Sequence, residues 1–339
     1  MGDRAASPHG TGQAIRLPDW FVPRVRDVLA GLRPPAAAKD AATVVLLRPA
    51  VSARPGAVRP GGQPCAPDSP EPTAVRGFDV YLLRRRPSMA FAPGAHVFPG
   101  GSVDPRDGQA ELAWAGPDPV AWGRVLSGGS QGVVPPGRHG SGGSRGVVAP
   151  GQHSGSAELA RALICAAVRE TFEESGVLLA GPTADAVVAD TTGEDWEADR
   201  RSLVDRSLSL AGLLRRRGLV LRSDLLRPWA RWITPDMESR RFDARFFTAA
   251  LPAGQRTRDV GGEADQVAWL APAAAIAAAR RGEVLLMPPT AVTLAELARH
   301  ETAAAVLADR RDMTPRQPQI SLTGGVAWLT IPDGLGYPL

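Results

Sequence analysis

Cysteine is almost missing from this chain. In 339 residues there are two, Cys65 and Cys165, too few for a disulfide framework or a tetrahedral zinc site. Cys65 sits in a proline-rich stretch and Cys165 in an apolar helical pattern, so both read as ordinary thiols. Lysine is scarcer still: Lys39 is its single instance, and the formal charge of +4 comes almost wholly from arginine. Aromatic residues make up only 5%. With few aromatics among scattered arginines, the basic balance does not describe a nucleic-acid surface. Arginine does bind phosphate with two parallel hydrogen bonds, and a polyanionic small molecule is compatible with it. No run approaches the ~20 apolar residues that span a bilayer, and the polar first residues carry no signal-peptide hydrophobic region. The expectation is a cytoplasmic protein with neither membrane nor nucleic acid as partner.

Hydrophobic content of 44% and 22% charged residues are those of a soluble globular protein. The length is the upper limit for one domain. One domain over 15–339 is expected, behind a small polar tail at 1–14 and with flexible insertions at about 49–73 and 108–156. Residues 17–32 have helical spacing and stop at Pro34-Pro35. Residues 42–48 read as a buried strand and 78–83 as a second, antiparallel to it. Between them, 49–73 is dense in proline and glycine and reads as a long loop. Residues 127–140 and 141–154 are a tandem duplication of 14 residues with ten identities, too rich in glycine and serine to bury a core. Its repeated His139 and His153 read as solvated. Before it, 111–115 and 120–126 read as short helices. Later segments read as one amphipathic helix at 194–217, a strand at 241–249, helices at 271–281 and 291–308, and a last strand at 319–331.

The chemistry gathers in the run 165–177. If 157–175 is one helix, Glu170, Glu173 and Glu174 stand three or four residues apart and crowd onto one face. Leu159, Leu163, Ala166, Ala167 and Phe172 fall at helical spacing on the other side and would pack it on a core. Like charges so placed repel, and a cation among them relieves that. Hard oxygen donors suit Mg²⁺ or Mn²⁺. A solvated acidic face is the plain alternative.

Arg169, Glu170, Glu173, Glu174, Gly176 and Val177 match the second half of the Nudix box as they stand, and the chain resembles that hydrolase superfamily. The first half, a glycine and, after five intervening residues, an acid, resembles Phe98-Pro99-Gly100-Gly101 with Asp107 where the family usually has Glu. In the family the two halves are nearly contiguous; here 61 residues separate Asp107 from Arg169. A box split in this way resembles the peroxisomal coenzyme A diphosphatases and their bacterial relatives. So do the run 93–101 and the segment Trp232-Ile233-Thr234-Pro235 followed by 240–247. The coenzyme A pattern also resembles Leu82-Leu83, Arg86, Gly94 and Phe98 to Gly101. Arg84 stands at its Thr position, Pro87 at its Ser position, and a later Arg has no counterpart.

The resemblance implies a Nudix α/β/α sandwich, a mixed sheet between helices with extra C-terminal helices. It implies Glu170, Glu173, Glu174 and the Gly100 carbonyl as ligands of Mg²⁺ or Mn²⁺. Glu173, Glu174, Arg169 and Glu263 are the implied catalytic group: Arg169 orients a glutamate, and Glu263, with Asp265 in reserve, is a further ligand or the base that activates water. Asp104 and Asp107 reach such a site through water or stay solvated. Arg84, Arg86, Gly101 and Arg245 are the implied substrate contacts, against the alternatives of a solvated strand end for the arginine triplet 84–86 and an ion pair with Asp243 for Arg245. The implied reaction is hydrolysis of coenzyme A or an acyl derivative to phosphopantetheine and 3′,5′-ADP. ADP-ribose or NADH as substrate, and a nucleotide-binding module without catalysis, remain open.

Overall fold

Val44 to Leu47 are all closed to solvent, and strand alternation divides them between two cores. Val44 and Leu46 face one; Val45 and Leu47 face the other. A strand buried on both faces belongs at the centre of a sheet covered on both sides. The computed structural model, which describes residues 13–50, 77–88, 92–109, 111–127, 150–258, 264–332 and 335–339, has that arrangement. The proline-rich run after Ala50 with Cys65, most of the duplicated segment, and Glu263 lie outside the described residues.

In chain order, β1 (Ala14–Arg16) and α1 (Val22–Leu29) precede the central strand β2 (Ala38–Pro49). Then come β3 (Phe78–Arg85), β4 (Ala95–Val97), β5 (Gly100–Ser102), α2 (Pro105–Gln109), β6 (Trp114–Ala115) and α3 (Pro119–Leu126). The long helix α4 (Pro150–Ser175) leads to β7 (Ala180–Gly181), α5 (Glu194–Val204), α6 (Leu210–Arg216) and β8 (Val220–Arg222). β9 (Arg227–Ile233), β10 (Arg241–Ala250), β11 (Ala264–Leu270), α7 (Pro272–Arg280) and β12 (Leu285–Leu286) follow. The chain closes with α8 (Pro288–Leu297), α9 (Ala303–Ala308), β13 (Pro315–Arg316), β14 (Gln319–Thr323) and β15 (Val326–Thr330).

The main sheet is mixed and ordered β12-β4-β3-β2-β10-β9-β13, with β11 also on β3 and β5 also on β2. β2 runs parallel to β10 and antiparallel to β3, as expected for the first two strands. Helices α3 to α6 bury Trp122, Leu163, Leu203 and Leu213 against Val44, Leu46 and Phe247 on one face. Helices α7 to α9 bury Ile276, Val292 and Val306 against Val45 and Leu47 on the other. The result is the expected sandwich. A smaller core joins α1 to the sheet β1-β15-β14 through Leu17, Val25 and Leu329.

Helix α4 is enclosed nearly all round: Ala162 to Val168 are buried without a break. Its thiol Cys165 is pushed up to about 12, chiefly by burial, so it is held as an inert thiol. Gly176 ends the helix at φ +74, its amide donating to the Phe172 carbonyl at 2.9 Å. Only a residue without Cβ takes that conformation cheaply, and the carbonyl it satisfies would otherwise lack a partner. Among the described residues, no helix is long and apolar enough to cross a membrane.

Five segments differ in whole or in part from expectation. Residues 111–115 hold a two-residue strand, β6, paired with β8. α3 fills 119–126, the short helix expected there, although the wider span was expected to be a flexible insertion, and packs Trp122 edge-on to Phe247 at 5.9 Å. The expected helix 194–217 breaks after Val204: Arg206 takes φ +64, and Ser209 caps α6 by accepting from the Gly212 amide at 3.1 Å. The fold-back lets Leu203, Leu210, Leu213 and Leu214 share one core, and Asp199 accepts from Arg216 and Arg217 across the bend. Likewise 291–308 is two helices, α8 and α9, with Thr302 capping the second at the Ala305 amide. Residues 319–331 form a hairpin turning at Gly324-Gly325 rather than one strand.

Ile164→Ala, at a fully buried position of α4, is expected to cost about 2–5 kcal/mol. Urea denaturation measures it, and a loss under about 1 kcal/mol contradicts this packing.

Candidate active site

The glycine turn hangs on the central strand. Thr43, Ala42 and Ala41 of β2 pair with Gly100, Gly101 and Ser102 of β5, and the chain then turns at Asp104 into α2. Helix α4 lies over the same row, so two segments far apart in sequence become neighbours. The Gly100 amide donates to Glu174 Oε2 at 2.8 Å. A Cβ built on Gly101 would stand 2.4 Å from Glu170 Oε1. Any side chain there would displace that carboxylate from the place where Arg169 holds it.

Arg169 ties the halves together. Its Nε and Nη2 donate to the two oxygens of Asp107 at 3.1 and 3.0 Å, and Nη2 also donates to the Ser102 carbonyl at 3.0 Å. Nη1 donates to Glu170 Oε1 at 2.7 Å and to Glu173 Oε1 at 3.3 Å. Arg169 and Asp107 are 7% and 5% exposed. Buried charge is tolerated only when paired and hydrogen-bonded, and here it is both. Asp107 is therefore neither a solvated loop acid nor a water-bridged one: it is the buried counter-ion of Arg169. Its second carboxylate oxygen also accepts from the Asp104 amide at 2.9 Å. Asp104 is held well below the usual carboxylate range by Arg106, which grips it at 3.0 and 2.9 Å.

The cluster holds more negative than positive charge. Burial pushes Glu170 up to about 7, with Arg169 pulling against it and Glu173 and Asp107 adding to the rise. Burial also raises Glu173, again opposed by Arg169. Burial alone would lower Arg169, but Glu170, Asp107 and Glu173 outweigh it and keep the guanidinium charged. Among the described residues, no three acidic, histidine or cysteine side chains already close on one point as a metal cage, and Arg169 lies between Asp107, Glu170 and Glu173. The donor set still fits a hard divalent ion. Its groups are carboxylate oxygens and a glycine turn, and a buried glutamate held near 7 is one whose negative charge lacks full compensation.

Arg84 and Arg245 are engaged by acids outside this cluster. Arg84 grips both oxygens of Asp265 at 2.7 and 2.6 Å, which also commits the reserve acid. By alternation Arg84 shares the face of Leu82, in the core opposite α4. Arg86 is exposed just beyond β3. Arg245 is buried, donating from Nη1 to Asp40 at 2.6 Å and to the Asp243 carbonyl at 2.9 Å. Burial lowers it. A cleft of about 570 Å³ lined by Val103, Asp104, Pro105, Gly108, Glu158, Leu159, Arg161 and Ala162 borders α2 and α4 on the N-terminal side of the cluster. One role and one residue escaped sequence reasoning. Asp107 carried a positional signal but not its partner. Arg200, whose Nη1 donates to the Glu173 carbonyl at 2.7 Å, carried no signal at all, since nothing in a sequence says which arginine folds back on a helix end.

Residues 38–299 match the family model described as the NUDT19 Nudix domain. The chain is 29% identical over 254 residues to acyl-coenzyme A diphosphatase NUDT19 of Gallus gallus, covering 68% of this chain and 63% of that protein. It is 30% identical over 276 residues to the Homo sapiens protein of the same name, covering 77% and 68%. The chain thus spans less than two thirds of the length of the chicken relative. Among solved structures, a NUDIX hydrolase from Alicyclobacillus acidocaldarius aligns with a TM-score of 0.57 at 22% identity, over 82% of this chain and 98% of that one. That likeness shows the fold.

The raised Glu170 fixes a pH dependence. Between its ordinary 4.5 and about 7 the folded state binds this proton more tightly than the unfolded state does. The stability it contributes is full below 4.5 and is lost as pH rises through 7. The rise corresponds to on the order of 3 kcal/mol. In chelator, the stability of the wild type relative to Glu170→Gln is expected to fall by up to that amount between pH 4.5 and 7.5. A difference that does not change with pH contradicts the burial.

Proposed function

The chain belongs to the NUDT19 Nudix domain family, and from that premise we propose that it hydrolyses the diphosphate bond of coenzyme A or an acyl-coenzyme A. Water adds to one phosphorus, the bridging P–O bond breaks, and 3′,5′-ADP and (acyl-)phosphopantetheine leave. The observation that carries this reading is the closure of the split box: Gly100 and Gly101 against Glu174 and Glu170, with Asp107 and Ser102 on Arg169. The name of the curated relatives supports the substrate.

Nudix hydrolases use divalent metal ions, and in this chain Glu170, Glu173, Glu174 and the Gly100 carbonyl would hold Mg²⁺ or Mn²⁺. Such an ion neutralises the diphosphate and makes water a better nucleophile at neutral pH. The chain's own groups do the rest. Arg169 fixes the carboxylates of Glu170 and Glu173 so that they need not reorganise during the reaction. The bare glycine turn lets a diphosphate approach the backbone closely. A carboxylate of Glu173, Glu174 or Glu263 accepts the proton released by the attacking water. Arg86, at the matching position of the coenzyme A pattern, meets a substrate phosphate; Arg84 and Arg245 would reach one only by leaving Asp265 and Asp40.

The test is a panel of coenzyme A, acyl-coenzyme A, ADP-ribose and NADH with Mg²⁺ or Mn²⁺, products read by mass. Release of 3′,5′-ADP from the first two is expected. Glu174→Gln should lower the rate at least about 100-fold, the scale lost with one group that stabilises developing charge, with its melting transition intact. Turnover of ADP-ribose or NADH alone rejects the coenzyme A assignment, and no turnover at all leaves a binding module.

A further inference from the structure

The last turn of α4 carries Glu173 and Glu174, and a helix end is where carbonyls run out of partners within the helix. Here three are met from outside. Arg200 of α5 donates Nη1 to the Glu173 carbonyl at 2.7 Å, the Arg258 amide donates to Ser175 at 3.1 Å, and the Thr191 hydroxyl donates to Gly176 at 2.7 Å. The donors also hold one another. Arg200, itself buried, grips both oxygens of Glu197 at 2.9 and 2.8 Å. Glu197 also accepts from Arg258 Nη1 at 3.1 Å, and Arg258 Nη2 donates to the Thr191 carbonyl at 2.6 Å. So many guanidiniums push the Glu197 carboxyl down to about 2, Arg200 chief among them. Trp196 of α5 meets Phe172 of α4 edge-on at 6.1 Å, and the Arg217 guanidinium covers its ring at 3.6 Å.

This ring of bonds grips the helix where position matters most. Glu174 meets the Gly100 amide, and Glu170 lies where even a methyl group on Gly101 would collide. A small slide or rotation of the last turn would misplace all three glutamates together. The cationic donor also lies at the negative end of the helix, where a cation is favoured.

We propose that Arg200 is a positioning residue: through the Glu173 carbonyl it fixes the last turn of α4, and with it Glu170, Glu173 and Glu174, against Gly100 and Gly101. It lies outside the matching motif and acts through the Glu173 carbonyl. The inference rests on the diphosphatase reading only for its kinetic readout.

The test compares wild type with Arg200→Met, which keeps the aliphatic stem, and Arg200→Lys, which keeps the charge but not the fork. Three measurements are made on the full chain: Mn²⁺ affinity of the metal-free protein by calorimetry, kcat and KM for acyl-coenzyme A, and amide exchange at Gly176 and Val177. Arg200→Met is expected to weaken Mn²⁺ binding and lower kcat about 10–100-fold each, as loss of groups that orient metal ligands does, while KM stays within about twofold. Arg200→Lys should recover part of both, and exchange at Gly176 should quicken in the Met variant under conditions where both proteins stay folded. Wild-type Mn²⁺ affinity and kcat in Arg200→Met, or losses in both variants that merely follow unfolding, overturn the proposal. If the wild type hydrolyses no diphosphate, the functional reading fails separately. The Mn²⁺ titration and amide exchange then decide: weaker binding with faster exchange in Arg200→Met supports the clamp, and unchanged values overturn it.

Discussion

A buried guanidinium surrounded by carboxylates sets the terms for this molecule. Arg169 is drawn out of water by the packing of α4, and leaving it unpaired there would cost several kcal/mol. Asp107 and the Ser102 carbonyl satisfy it from the glycine half of the box; Glu170 and Glu173 satisfy it from its own helix. The same contacts hold the glutamates in fixed places. Removing the guanidinium would leave Asp107, Glu170 and Glu173 as buried acids without a counter-charge.

That arrangement is possible only because the sheet brings its two halves to one row. β5 pairs with the first half of β2, β3 with the second half, and α4 lies over the face to which Ala42, Val44 and Leu46 contribute. The long insertion between Asp107 and Arg169 leaves this geometry intact, since the entropy of closing a loop grows only with the logarithm of its length. Part of that span is itself structure: α3 adds Trp122 and Leu126 to the core beneath α4. α4 is held by different means along its length, its middle by apolar packing and its last turn by donors from α5, Thr191 and the segment ending at Arg258.

The glutamate helix, the glycine turn and the sandwich were legible because each has a period or a motif that survives in one dimension. Glu170, Glu173 and Glu174 announce a shared face by spacing alone, and the β2–β3 antiparallel pair follows from two apolar runs. What was not legible depends on distant partners. Asp107 reads in the sequence as an acid that reaches the site through water or stays solvated, because nothing nearby marks Arg169 as its counter-ion. Arg84 and Arg245 look like phosphate contacts in sequence, whereas folding supplies Asp265, Asp40 and Asp243 to them. The breaks at 205–209 and 298–302 were missed because leucine and alanine spacing continues through them. Only the caps Ser209 and Thr302 mark the new starts, and a capping residue in a polar stretch is a weak signal beside a continuing apolar stripe.

The claim that the two halves of the box are joined through one buried ion pair is tested most directly by a double-mutant cycle. Asp107→Asn, Arg169→Met and the pair are compared with wild type by denaturant unfolding in chelator. A coupling energy of about 2–3 kcal/mol is expected, in the range measured for contacting groups in a shared network. Additivity within about 0.5 kcal/mol, the behaviour of distant sites, would mean that Asp107 and Arg169 do not meet in the folded protein and would contradict the account.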